Sequence, residues 1–341
     1  MSNTSLLGSF GGQGDSSLMF RNVLINGCFR VWQRGASFTP TSLATIYTTD
    51  RWACYRPAFA TGLLASRQSA SGLAGFPNAL RVERSSGNAG TSNIIANQSI
   101  ESINMVHLIG QTVTLSFYAR VGSGFSAASS ILTSSFISGT GTDESLANTG
   151  YTGQAVVDQS NTVTTSWQRF THTYTVPSNA NELTVHFRYT PTGTSAGNDW
   201  FELTGVQLEA GPTATPFERR PIGQEIQLCQ RYYEKSYDLG VAPGTSTTAG
   251  IVFLSTTSTQ SNGIFVTTWP FKVQKRINPN KRCWTSTGTL GQVSYKTGAT
   301  EGTTSASAAG EGAQVNVGFF GTLTANTFYA FSYHWDAECE L

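Results

Sequence analysis

The sequence predicts an all-β protein: an antiparallel β-sandwich over residues 21–219, a short connecting helix over 220–238 and a smaller C-terminal β domain over 239–341. Three observations carry this. Ser and Thr make up about a quarter of the 341 residues and 35 more are Gly, a composition that disfavours long helices and suits strands and turns. Apolar residues alternate with period two through most of the chain, as in strands that bury one face. The helical period stands out in one stretch alone, beginning near residue 222.

The first 20 residues precede the sandwich. Ser2 to Ser17 are mostly Gly, Ser and small polar residues, so this part reads as a flexible arm. Beyond Asn22, Leu80 and Val82 alternate with Arg81 and Glu83. Val113, Leu115, Phe117, Ala119 and Val121 share a face, as do Phe170, His172, Tyr174 and Val176, then Leu183, Val185, Phe187 and Tyr189, before Asp199 to Leu208 closes the set. No helical pattern separates these runs before residue 219, which argues for an antiparallel sandwich over a parallel sheet. From Pro216 to Tyr237 the period changes. Ile222, Ile226, Cys229 and Tyr233 recur at spacings of four, three and four, with Pro221 at the start and Gly240 beyond the end, the marks of a short amphipathic helix. Strand patterns return at Ile251 and Phe253, Ile264 and Val266, Phe271 and Val273, Val315 and Val317, and Phe328 to Tyr333.

Composition also excludes function classes. Only 12% of residues are charged, against roughly 25% in an average soluble domain. The net charge of +1 leaves no basic excess to neutralise a phosphate backbone, so nucleic acid is not an expected partner. The 20 Phe, 12 Tyr and 7 Trp supply a core and argue against disorder. No stretch approaches the roughly 18 apolar residues of a membrane span, and Met1 to Gly12 lacks the basic start and apolar centre of an export signal, so synthesis in the cytoplasm is expected. The five cysteines are scattered and never in a CxxC spacing, which reads as free, buried thiols.

No catalytic pattern emerges. A polysaccharide-cleaving enzyme needs two carboxylates across a groove, and the 20 acidic residues form no distinctive cluster. Asp50, Glu209, Glu218 and Glu225 sit where arginine pairing or capping explains them. The four histidines lack metal-site or Ser-His-Asp spacing. Gly8 to Gly14 is not followed by Lys-Ser or Lys-Thr, so nucleotide binding is not indicated. Neither a cofactor nor a metal is expected.

Three segments carry a family resemblance. Asn22 to Gly35 (NVLINGCFRVWQRG) with Tyr47 to Trp52 (YTTDRW), Gly205 to Pro221 (GVQLEAGPTATPFERRP) and Leu228 to Tyr233 (LCQRYY) resemble tail-fibre and receptor-binding structural proteins of tailed bacteriophages. The resemblance extends to the closing Asp336-Ala337-Glu338. The N-G-x-F start, Trp32 and the V-Q-L-E close are also similar to the first and last strands of jelly-roll carbohydrate-binding modules. Such modules often carry a structural calcium, which needs several oxygen ligands. Gly205 stands where an Asp often precedes the last strand's valine, which departs from that pattern, although Asp199, Glu202 and Glu209 lie nearby.

The resemblance implies a virion structural protein, a tail fibre or related appendage subunit, that attaches to host surface glycans by multivalent binding and is not an enzyme. Residues 1–20 would grip other virion proteins, and the subunit would form a homotrimer. Flat aromatic faces and neutral hydroxyls suit sugars without net charge. Trp32, Trp52, Trp167 and Trp200 fall among the sandwich strands and are assigned to packing. The C-terminal Trp269, Trp284, Tyr295 and Trp335 are the expected ligand-binding residues, because a fibre anchored at its N-terminus presents its other end. Ile222, Ile226, Tyr232 and Tyr233 are the expected oligomer contacts. The rival readings are a capsid decoration or head-fibre protein, distinguished by where the arm binds, and a glycan depolymerase, distinguished by new reducing ends.

Overall fold

A computed structural model of the chain describes residues 21–40, 46–58, 61–257, 263–264, 270–309, 318–320, 322–324 and 326–341. The expected arm over 1–20, Trp269 and the Val266, Val315 and Val317 positions lie outside them. Two six-stranded antiparallel sheets face each other as a jelly-roll sandwich. The first contains β1 (Ser37–Phe38), β4 (Leu63–Ser69), β5 (Asn78–Arg84), β7 (Thr112–Val121), β10 (Gln168–Thr175) and β12 (Asp199–Ala210), in the order β1-β4-β5-β12-β7-β10. The second contains β2 (Ile46–Tyr47), β3 (Ala53–Tyr55), β6 (Ile94–Ile100), β8 (Ile131–Gly139), β9 (Ala155–Thr162) and β11 (Glu182–Tyr189), in the order β2-β3-β6-β11-β8-β9.

Period-two alternation places the core. Leu80 and Val82, then Leu115 and Phe117, then Val185 and Phe187, are fully buried between the sheets. Trp52 fills the centre, with Phe29 at 5.1 Å and Phe187 at 6.3 Å between ring centroids. Short helical turns interrupt the strands before residue 219: α1 (Ser102–Met105) with a 3-10 turn at Val106–Leu108 after it, and a further 3-10 turn at Ala128–Ser130. All are too short for a periodic signature.

The connecting helix is shorter than its spacing suggests. It runs as α2 (Ile222–Gln230), and by Tyr233 the chain is already a strand, β13 (Tyr233–Lys235). Backbone pairing of Tyr233 with Glu338 and of Lys235 with Asp336 overrides the helical pattern there. The buried face of α2 follows the apolar stripe at Cys229 but departs from it at Glu225, which is buried, and Ile222, which is exposed. Glu225 goes inward because its carboxylate accepts the Asn26 backbone N–H at 2.5 Å and faces Arg220 at 3.4 Å.

The C-terminal sheet is organised around one long strand. Its six members are β13, β14 (Val252–Thr257), β16 (Asn280–Trp284), β17 (Gln292–Thr297), β18 (Thr300–Ser305) and β22 (Phe328–Glu338). The first half of β22 pairs β14 and β17, and its second half pairs β13 and β16. Two short ladders accompany it, β15 (Gly263–Ile264) with β21 (Thr322–Leu323) and β19 (Ser307–Ala309) with β20 (Gly318–Phe320). Phe271 is buried but not in a strand. All five cysteines are buried and free.

Candidate functional site

The sequence's aromatic candidates turn inward. Trp335 is 5% exposed and belongs to the C-terminal core with Phe271 at 6.0 Å. Trp284 is buried, edge-on to Tyr237. The Tyr295 ring packs on the same core, 5.5 Å from Tyr329 and close over Gly302. Trp284 and Trp335 therefore offer no open face for a ligand, whereas the half-buried Tyr295 lines a groove beside them. The physical reason is that a domain of about a hundred residues needs its large aromatics for its own core.

Between them, however, the strands build a groove of about 490 Å³ on the opposite face of this sheet. Ser294 and Lys296 of β17 alternate with Tyr295, so their side chains emerge where its ring does not. Ser332 of β22 pairs Ser294 on one side and Phe253 of β14 on the other. Thr303 and Glu301 of β18 complete the row opposite Ser294 and Lys296, and Ser286 and Thr287 close one side. Phe253 is 69% exposed, an aromatic ring standing among hydroxyls. Lys296 and Glu301 neutralise each other at 3.0 Å. Among the described residues the groove thus offers the exposed Phe253 ring, neutral donors and acceptors, and charges that balance.

Phe253 lies in a strand, as the sequence pattern predicts, but was not among the expected ligand-binding residues. Residues 251–254 are all apolar, so either phase satisfies an alternating pattern. The structure buries Val252 and Leu254 partly against the core and turns Phe253 out. The signal lies two residues on, because Ser255 and Thr257 share the phase of Phe253 and mark that face as wet.

The segments that carry the family resemblance meet elsewhere, in a buried joint between sandwich and C-terminal sheet. Arg34 lies 3.1 Å from both Glu338 and Glu340, 3.9 Å from Asp50 and 3.8 Å above the Tyr233 ring. Burial alone would lower the Arg34 guanidinium, but Glu338, Glu340 and Asp50 outweigh it and hold it above its ordinary value. Burial raises the Asp50 carboxyl, against the pull of Arg34. Arg51 pairs with Glu340 and stacks 3.5 Å over Tyr232. Tyr232 donates its hydroxyl to Glu101, and Tyr233 donates to Asp336, each at 2.8 Å. Tyr232 and Tyr233 are 1% and 0% exposed, so they are contacts within one chain and not the expected oligomer contacts. Ile226 is half-buried and Ile222 is 39% exposed.

The N-G and T-G-V-Q-L-E motifs form the clasp beside this joint. A side chain at Gly27 would stand 2.0 Å from the Val206 carbonyl oxygen. Gly205 has φ +58° at the bulge between Thr204 and Gln207, where glycine is at home. Asn22 donates to the Val206 carbonyl at 3.0 Å and accepts the Leu208 N–H at 3.0 Å.

The three acidic residues near the last sandwich strand, Asp199, Glu202 and Glu209, are committed to protein partners. Glu202 accepts from Arg81 at 2.9 Å and Arg120 at 2.6 Å, and Asp199 accepts from Arg84 at 2.7 Å. Glu209 takes the Thr215 N–H and hydroxyl and the Gln207 amide. The histidines are scattered: His172 bonds Asn161, His334 stacks on Tyr237 at 3.7 Å, and burial lowers His186 to about 3.

No family model and no curated protein matches the chain. Solved structures are similar to part of it. One is the enzymatically active domain of tailspike protein 4 of bacteriophage CBA120, with 12% identity and a TM-score of 0.35, covering 56% of this chain. This chain spans only 22% of that one. A second is a family 4 carbohydrate-binding module, with 18% identity and a TM-score of 0.32, covering 55% of this chain and 98% of the module. A third is the C-terminal family 22 carbohydrate-binding module of Clostridium thermocellum Xyn10B, with 15% identity and a TM-score of 0.32, covering 53% and 98%. Likeness at this level says nothing of what the chain binds, which has to come from its own residues.

Proposed function

We propose that this protein is a structural subunit of a phage virion, a tail fibre or related appendage, that holds host surface glycans in the groove around Phe253 without cleaving them. The observation that carries the reading is the exposed Phe253 ring among Ser286, Thr287, Ser294, Thr303 and Ser332. A pyranose lays its apolar face on such a ring and its hydroxyls on such neighbours. Among the described residues Glu301 is the one carboxylate lining the groove, where glycoside hydrolysis uses two. A shallow site of this kind binds weakly, and several copies on one particle raise the avidity.

The segment over 1–20 joins other virion proteins in this reading, and copies of the chain associate as a homotrimer. Exposed apolar residues support self-association. Ile103 and Val106, 71% and 64% exposed, lie on the turns that supply Asn104 and His107 to a shallow pocket. Ile222 opens the helix that supplies Leu228 to the same pocket.

The test is binding of the full chain to a panel of bacterial surface polysaccharides, with and without Phe253→Ala. Losing one aromatic platform costs about 1–1.5 kcal/mol, which is roughly tenfold in affinity. Retention on a polysaccharide with no new reducing ends, and a tenfold loss in the variant, are expected. Equal binding by both proteins, or release of reducing ends by purified protein, contradicts the reading.

A further inference from the structure

At the end of the sandwich away from the joint, one buried guanidinium occupies a cage of oxygens. Arg84 and Asp199 both have fully buried side chains. Arg84 Nε donates to Asp199 Oδ2 at 2.7 Å. Nη1 donates to the carbonyls of Gly193 at 2.9 Å and Gly90 at 3.2 Å. Nη2 donates to the Thr192 carbonyl at 3.1 Å and to Ser126 Oγ at 3.2 Å. All five N–H groups of the fork are used. The oxygens come from strand β12 and from the β5–β6, β7–β8 and β11–β12 connections. Ser126 also donates its N–H and hydroxyl to Asp199, at 3.0 and 2.8 Å.

One carboxylate, three main-chain carbonyls and a hydroxyl are the donor set of a hard divalent cation. Modules of the kind the sequence resembles often carry a calcium ion, but the residues of this cage do not fit one, because a covalently attached cation already fills it. We infer that the Arg84 guanidinium is the structural cation of this sandwich, tying three loops and the last strand together in place of a metal.

The experiment compares thermal midpoints of the full chain and Arg84→Ala. Breaking a buried pair by removing one partner lowers the midpoint by roughly 10 °C in a domain of this size. Free guanidinium at millimolar concentration, far below denaturing levels, restores at least half of that loss by binding the vacated cage. Urea, its neutral near-isostere, restores none at the same concentration. The wild-type midpoint is unmoved by calcium or by a chelator. The inference is overturned if calcium raises or the chelator lowers the wild-type midpoint by several degrees, or if guanidinium and urea act alike on the variant. Should Arg84→Ala not fold, Arg84→Lys and Arg84→Met decide. Lysine keeps a cation in the cage and is expected to melt higher, and a methionine variant as stable as the lysine one refutes the role.

Discussion

Replacing Arg34 with alanine tests the joint between the two parts of the chain. The substitution removes a nearly buried guanidinium that faces Asp50, Glu338 and Glu340 and covers the Tyr233 ring. Removing one partner from a buried pair costs about 3–5 kcal/mol. The lower end applies, because the stranded groups keep other donors. Glu340 retains Arg51, and Asp50 retains the Gln33 N–H at 2.8 Å and the Gln33 amide at 2.6 Å. A loss of about 3 kcal/mol lowers the thermal midpoint by roughly 6–12 °C for a domain of 150–250 residues. Scanning calorimetry should also show the C-terminal sheet melting ahead of the sandwich, since Arg34 is a principal link between them. Lys296→Ala, which breaks an exposed pair, is the control and should cost about 0–1 kcal/mol. If the two variants melt alike, the joint is not what couples the parts.

Other perturbations have equally definite outcomes. Burial raises the Glu182 carboxyl from 4.5 to about 6, so the native state holds a proton that the unfolded chain releases. Its contribution is full below pH 4.5 and declines as pH rises through 6, and urea unfolding across that window should show Glu182→Gln flattening the slope. At Gly205 a side chain would stand 2.7 Å from the Phe76 ring and 3.1 Å from Tyr118, on a positive φ. Gly205→Ala should therefore lose about 1–3 kcal/mol by chemical denaturation. Gly223→Ala, in α2 with open space around it, should instead gain up to about 1 kcal/mol. Ile103→Asp should lower the molar mass measured by light scattering if the exposed Ile103 and Val106 join copies of the chain, and an unchanged mass argues against that contact.

The sandwich was readable because each strand buries a single face, so the alternation of Leu80 with Arg81 or Phe117 with Tyr118 states both the element and its orientation. The C-terminal domain was less readable. Its long strand reads from Phe328, but the polar run through His334 and Asp336 hides its continuation, which pairing with β13 and β16 imposes. The helix spacing at 222–233 was right in kind and too long, because the partner of Tyr233 is Glu338, more than a hundred residues away. Apart from Tyr295, the residues that line the groove were not among the sequence candidates, for a related reason. Which tryptophans a small domain spends on its own core is a tertiary fact, and the phase of Phe253 was ambiguous within its own apolar run. The motifs behind the family resemblance proved to mark the buried joint and its clasp, where Arg34, Arg51, Tyr232 and Tyr233 converge.

Hydrogen exchange of the intact chain, with and without a surface polysaccharide that it retains, tests the central claim most directly. Binding around Phe253 should slow exchange in 252–257, 292–305 and 328–334 and leave the sandwich strands unchanged. Protection confined to the sandwich, with those three segments unaffected, would place recognition elsewhere and contradict the account.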